Sequence, residues 1–250
     1  MNGPNLPQLN KQHSMTKSIL LHITPGLLVT GAFILFKLLL NSTGYPPLLA
    51  FLLAVFFIDI PFMFGVMLYE GRKLNGRFSL KGVILYNKKI SWKVFSLIFI
   101  GAFIVLYLVS MLSNQISPFM TEHVFFWLPN WIFIDNAAQY EAYTKNILVF
   151  VFTLHLLITG IILPWVEELY FRGYLMPRIS RYGRWAPLIG AAFFGLYHVW
   201  QLFGFFGVFL LGAGLGYVVW WKKDIRLSIS LHIVANAVAR ILILVEILKM

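Results

Sequence analysis

Long apolar runs separated by short polar stretches dominate the chain. About 20 apolar residues let a helix cross the hydrocarbon core of a bilayer. The sequence divides into about seven such runs: Ile19–Leu40, Pro46–Leu68, Val94–Leu112, Asn146–Tyr170, Trp185–Phe203, Phe205–Trp221 and Leu227–Leu248. This pattern predicts an all-α fold, a polytopic membrane helix bundle. The fifth and sixth runs are short and parted only by Gly204, which fits a tight hairpin. The first run is too long for a signal peptide and is followed by no small-residue cleavage site, so it is expected to stay as a span. Residues 1–18 lack periodicity and read as a disordered tail. No internal repeat is visible, which disfavours an inverted-repeat transporter.

Composition sharpens this picture. Of 250 residues, 60% are hydrophobic and 12% charged, and the mean hydropathy of +0.80 lies far above that of a soluble domain. The balance of 20 Lys+Arg against 9 Asp+Glu gives a formal charge of +11. In a soluble protein that charge would suggest nucleic acid, but here it sits in loops between spans, where insertion topology and anionic headgroups favour it. No nucleic-acid partner is expected. With no cysteine there is no disulfide, thiolate nucleophile or Cys-based zinc site.

The basic residues also orient the chain. Arg72, Lys73, Arg77, Lys81, Lys88, Lys89 and Lys93 lie between the second and third runs. Arg172, Arg178, Arg181 and Arg184 follow the fourth, and Lys222, Lys223 and Arg226 follow the sixth. All three groups fall on one side, together with Lys11 and Lys17. The positive-inside rule then places the N-terminus in the cytoplasm and the C-terminus outside, in a bilayer expected to be a bacterial cell membrane. The loop from Ser113 to Lys145 falls opposite. Its Phe125, Phe126, Trp127, Trp131 and Phe133 suit interfacial anchoring.

Charge inside an apolar span costs about 2.5–3.5 kcal/mol per group on insertion scales, so each instance needs a reason. Glu167 and Glu168 end the fourth run, and Arg172 follows one helical turn after Glu168. That spacing lets Glu168 and Arg172 pair on one face, while Glu167 is turned about 100° away and stays out of the pair. Phe194 and His198 are four apart, as are His232 and Asn236, so an imidazole and a carboxamide on the last span can address one small group. Pro164 removes a backbone hydrogen bond just before the glutamates and predicts a kink. Asp59 and Arg240, at similar depth in their spans, are expected to form a buried pair. His22 and His155 read as packing residues, and Gly190, Gly195, Gly212, Gly214 and Gly216 as sites of close helix approach.

Glu-Glu-x-x-x-Arg, then Phe-x-x-x-His, then His-x-x-x-Asn, in this order on successive spans, resembles the CPBP intramembrane proteases, the CAAX protease and bacteriocin-processing family also called Abi. The resemblance covers about residues 146–240. It implies that 146–250 form a catalytic bundle, with 19–145 as N-terminal helices and an outer loop. It further implies an endopeptidase in which Glu167 activates water, His198 helps to hold it, and His232 with Asn236 stabilises the oxyanion. Glu168 and Arg172 would support that site. The expected substrate is a peptide or protein segment, membrane-tethered or prenylated ones included.

Amide hydrolysis needs a base for water and donors aimed at the oxygen that becomes negative, and these residue types supply both. No cofactor is favoured. A zinc site of Glu167, His198 and His232 is the competing arrangement, since one glutamate and two histidines can hold zinc with water in the fourth position. The absence of His-Glu-x-x-His and the presence of Asn236 beside His232 favour the metal-free form. A proton-coupled carrier using the two glutamates, or a non-catalytic regulator on the same scaffold, are the alternatives from other classes. One geometric difficulty stands. His198 lies fourteen residues beyond Arg184, about 21 Å at 1.5 Å per residue, whereas Glu167 is only five residues from Arg172 and His232 six from Arg226.

Overall fold

The computed structural model describes residues 12–129, 132, 134 and 137–250. Lys11 and the rest of residues 1–11, with Trp131, Phe133 and Asp135, lie outside the described residues. Seven rods follow in order: α1 (Met15–Leu39), α2 (Pro47–Asn75), α3 (Trp92–His123), α4 (residues 145–175), α5 (Ala186–Tyr197), α6 (Phe205–Lys222) and α7 (Ile225–Lys249). Six helical stretches are long and apolar enough to cross a membrane, and one of them, Lys145–Tyr197, contains both α4 and α5. Among the described residues there is no strand, only an isolated bridge between Asn87 and Asp224.

Several boundaries move for physical reasons. α1 begins at Met15 because the Ser14 hydroxyl accepts from the Lys17 N–H, so residues 15–18 of the expected tail are helical. α2 runs on to Asn75 and stops where Gly76 takes φ +69°, a left-handed cap that glycine adopts without cost. α3 extends to His123, which places residues 113–123 of the expected outer loop in a helix. The fourth run does not end at Tyr170. Arg172 is 3% exposed inside α4 rather than in a basic loop, because Glu168 neutralises it and the helix can continue to Leu175.

α4 is wound in wide π-helical turns over Leu156–Ile162 and Glu168–Leu175, on either side of the segment that contains Pro164. The missing proline N–H makes such rewinding cheap, and π-turns concentrate at functional sites. A 3₁₀ stretch, Met176–Trp185, then turns the chain into α5, with Gly183 at φ +54°. After Tyr197 the chain kinks through Val199–Gly204 into α6. α5 and α6 form the expected hairpin, and their approach is so close that a Cβ on Gly195 would sit 2.7 Å from the Phe205 ring.

The basic segments meet at one end of the bundle. The His13 N–H donates to the Arg178 carbonyl, Leu85 to Gly173, Lys88 to Lys223, and Ile225 to Tyr86. Arg178, 4% exposed, donates to the carbonyls of Val83 (3.1 Å) and Tyr174 (2.6 Å) and so ties the α2–α3 loop to α4. Burial, with Lys17 and Arg178 nearby, pushes His13 down to about 3, so it packs there uncharged. At the other end Lys145 Nζ donates to the Leu248 carbonyl. The largest cluster of buried apolar side chains draws on α1, α2, α4, α5 and α7. Tyr170 adds a hydrogen bond from its hydroxyl to the Leu21 carbonyl of α1.

These lengths remove the depth difficulty. α4 continues eight residues beyond Glu167, about 12 Å, before the 3₁₀ turn even begins. The twelve residues of α5 lower His198 by about 18 Å. The side chains can therefore meet at one level.

Candidate functional site

Glu168 is the hub. Fully buried, its Oε1 lies 3.0 Å from Arg172 Nη1 on the same helix and 2.8 Å from His232 Nδ1 on α7. The i,i+4 spacing supplies the first contact and the packing of α7 against α4 the second. Arg172 is held on two further sides. Its Nη2 donates to the Gly212 carbonyl of α6 at 3.3 Å, and its guanidinium lies 4.0 Å over the Phe194 ring of α5. Gly212 permits this approach, since a Cβ there would sit 3.1 Å from both Arg172 Nη2 and the Phe194 ring.

Glu167 points elsewhere, as its rotation around the helix requires. It is 2% exposed, its Oε1 has no hydrogen-bond partner, and its Oε2 lies 3.8 Å from His232 Nε2. The His232 ring thus stands between the two glutamates, one nitrogen on each. Phe194 joins the histidines, making edge contacts with His198 at 4.7 Å and His232 at 6.3 Å between ring centres. His198 is 8% exposed and places Nδ1 2.8 Å from the Phe194 carbonyl. A carbonyl only accepts, so Nδ1 carries the proton and Nε2 is left as an acceptor. Asn236 lies one turn beyond His232 on α7, half-buried, and makes no hydrogen bond with the other five residues.

Two residues of this cluster carry no motif. Tyr197, the last residue of α5, donates its hydroxyl to Asp59 Oδ2. Asp59 therefore pairs with Tyr197 and not with Arg240, because the hydroxyl at the end of α5 reaches the π-turn of α2. The one available signal was Asp59 itself, an acid in an apolar span that requires a partner. Of the glycines expected at close approaches, Gly195, Gly212, Gly214 and Gly216 have neighbours within 4 Å of a Cβ, but Gly190 has none. His22 and His155 are buried packing residues, with His22 against Phe171 and Phe193 and His155 against Phe152.

Among the described residues no three His, Cys, Asp or Glu side chains are grouped to hold a metal ion. His232 places Nδ1 on Glu168 and turns Nε2 towards Glu167.

Residues 149–238 match the family model described as type II CAAX prenyl endopeptidase Rce1-like. The matched stretch contains every residue of the three motifs, in agreement with the resemblance read from the sequence. No curated protein and no solved structure matches the chain.

Proposed function

We propose that this multi-pass membrane protein, with a match to an Rce1-like endopeptidase model over residues 149–238, hydrolyses a peptide bond inside the bilayer with water activated by Glu167. One observation carries the reading. Arg172 and His232 hold Glu168 through Oε1 at 3.0 and 2.8 Å, whereas His232 approaches Glu167, equally buried beside it, only to 3.8 Å, and Glu167 Oε1, like Glu168 Oε2, has no hydrogen-bond partner. A buried carboxyl left unsatisfied is costly and calls for a ligand.

In the proposed reaction a water sits between Glu167 and the His198 Nε2 acceptor. Glu167 takes one of its protons as the oxygen attacks the carbonyl carbon. The carbonyl oxygen becomes negative and is met by His232 and Asn236. With Nδ1 donating to Glu168, His232 donates from Nε2 only as an imidazolium. The proton on Glu167 then passes to the leaving amine nitrogen as the C–N bond breaks. Arg172 holds Glu168 in place, so that His232 is aimed. The substrate is a peptide or protein segment entering from the membrane or its cytoplasmic face, prenylated C-termini included, and the N-terminus is cytoplasmic.

The test compares membrane peptides by mass spectrometry from cells expressing the wild type or Glu167→Ala at equal levels. New C-termini are expected with the wild type and absent with the variant. Identical peptide sets would end the proposal and leave the carrier or regulator.

A further inference from the structure

At the basic end of the bundle a cavity of about 340 Å³ lies between the start of α1, the end of α2 and the 3₁₀ stretch that follows α4. Its size falls in the range of small-ligand sites, about 300–1,000 Å³. Gln12, His13, Lys17, Glu70, Lys73 and Arg178 supply its polar wall. Lys17 stands in the first turn of α1 and Lys73 in the last turn of α2, so the cavity sits where apolar spans give way to polar segments. None of these residues has a part in the reaction proposed above.

Donors outnumber acceptors in this wall. Arg178 is almost fully buried, lies 4.2 Å over the Tyr174 ring, and makes both its hydrogen bonds, to the Val83 and Tyr174 carbonyls, through Nη1. Among the described residues its Nε and Nη2 have no acceptor. Lys17 and Lys73 both turn towards Glu70, but their Nζ atoms stop 4.0 and 3.9 Å from its Oε1, beyond hydrogen-bond length. His13 is 5% exposed, and its buried Nδ1 has no hydrogen-bond partner. Three cations thus share one carboxylate that none of them reaches with a hydrogen bond.

A wall of this kind suits an anion with more charge and more oxygens than a single carboxylate. Arginine recognises phosphate with its planar fork, and lysine adds a point charge. We propose that this cavity seats a phosphate group, that of an anionic lipid headgroup or of the free ion. Its place at the ends of two spans favours the headgroup, since basic pockets between helices at the cytoplasmic face collect anionic lipids. Leu74 and Val83, which also line the cavity, offer an apolar surface to the glycerol and the first methylenes. Glu70 keeps the two lysines beside the cavity and competes with the phosphate for them.

The test titrates the full-length protein in detergent with phosphatidic acid, phosphatidylcholine and inorganic phosphate, and follows the melting midpoint by tryptophan fluorescence. Phosphatidic acid is expected to raise the midpoint by about 5–10 °C at a hundred times its dissociation constant. Phosphatidylcholine, whose choline cancels the phosphate charge, should leave it unmoved. Lys17→Gln with Lys73→Gln should weaken phosphatidic acid about 30-fold, at about a factor of five per cation. Lys88→Gln with Lys89→Gln removes the same charge from an exposed loop at the same end and should change binding by less than about threefold. Glu70→Gln, which removes the competitor, should tighten it about fivefold. Protection by phosphatidic acid alone assigns the seat to the lipid, and protection by inorganic phosphate with the same pattern of variants assigns it to the free ion; both uphold a phosphate site. No rise with either ligand, an equal rise with phosphatidylcholine, equal weakening by the Lys88 and Lys89 pair, or looser binding by Glu70→Gln overturns it. Where a variant melts too low to titrate, the lipid retained in native mass spectrometry gives the same ratios. Cleavage has no part in the readout, so the outcome is independent of the peptidase assignment.

Discussion

Replacing Arg172 with Met tests whether the buried ion pair holds the site together. The substitution keeps much of the side-chain volume but removes the 3.0 Å contact with Glu168, the hydrogen bond to the Gly212 carbonyl and the cation over Phe194. Glu168 is fully buried and would retain its 2.8 Å contact with His232 but lose its cationic partner on α4. Breaking a buried pair by removing one member costs about 3–5 kcal/mol, mainly because the other charge is stranded. For a chain of this length each kcal/mol lowers the melting midpoint by about 2–4 °C, so Arg172→Met should melt about 6–20 °C below the wild type. Thermal melts followed by tryptophan fluorescence in one detergent provide the readout. The double variant Glu168→Gln with Arg172→Met removes the stranded charge and should recover a large part of the loss. A single variant melting within about 2 °C of the wild type, less than one kcal/mol, would refute the reasoning.

Other outcomes follow from the same packing. Gly212→Ala places a Cβ 3.1 Å from Arg172 and Phe194 and is expected to cost about 1–3 kcal/mol, whereas Gly190→Ala, with nothing within 4 Å, should be neutral or stabilising by up to about 1 kcal/mol; melts of the two variants check the contrast. Burial pushes the Asp224 carboxyl up, but hydrogen bonds from the Arg226 side chain and from the Ile90 and Arg226 N–H groups outweigh it and hold the group below its usual range. Because the folded value lies below the unfolded one, this stability is present above about pH 4 and lost as pH falls through the folded value. The melting advantage of the wild type over Asp224→Asn should therefore shrink on acidification, and melts at graded pH will show it. Since Glu167, His198 and His232 are not grouped as ligands, dialysis against a chelator is expected to leave peptide cleavage intact, read as kcat before and after.

How much was legible in the sequence depended on the range of each contact. Glu168 with Arg172 and Phe194 with His198 are one-turn relations, and helix geometry alone places them. The helical bundle followed from run length, because a bilayer admits few other ways to satisfy a backbone. What stayed hidden was long-range. The Asp59–Tyr197 contact joins residues 138 apart, and a tyrosine at the end of an apolar run gives no sign of which helix it faces. Asp59 stood out as an acid needing a partner, but estimated depth suggested Arg240, and depth cannot tell which helix packs over which. Arg172 was placed in a loop for a related reason: its charge suggests water until Glu168, Gly212 and Phe194 are seen to enclose it. The end of α4 moved with it.

The central claim is that Glu167 activates water for peptide-bond cleavage within the membrane. The most direct measurement is cleavage of farnesylated and unmodified peptides by the purified protein in nanodiscs, comparing the wild type with Glu167→Gln, a variant that keeps the shape and removes the base. The wild type should release a product with a new C-terminal carboxylate, and Glu167→Gln should lose at least about 10²-fold in kcat with an unchanged melt. Equal turnover by the two proteins, or no cleavage of any peptide by a well-folded wild type, would contradict the account.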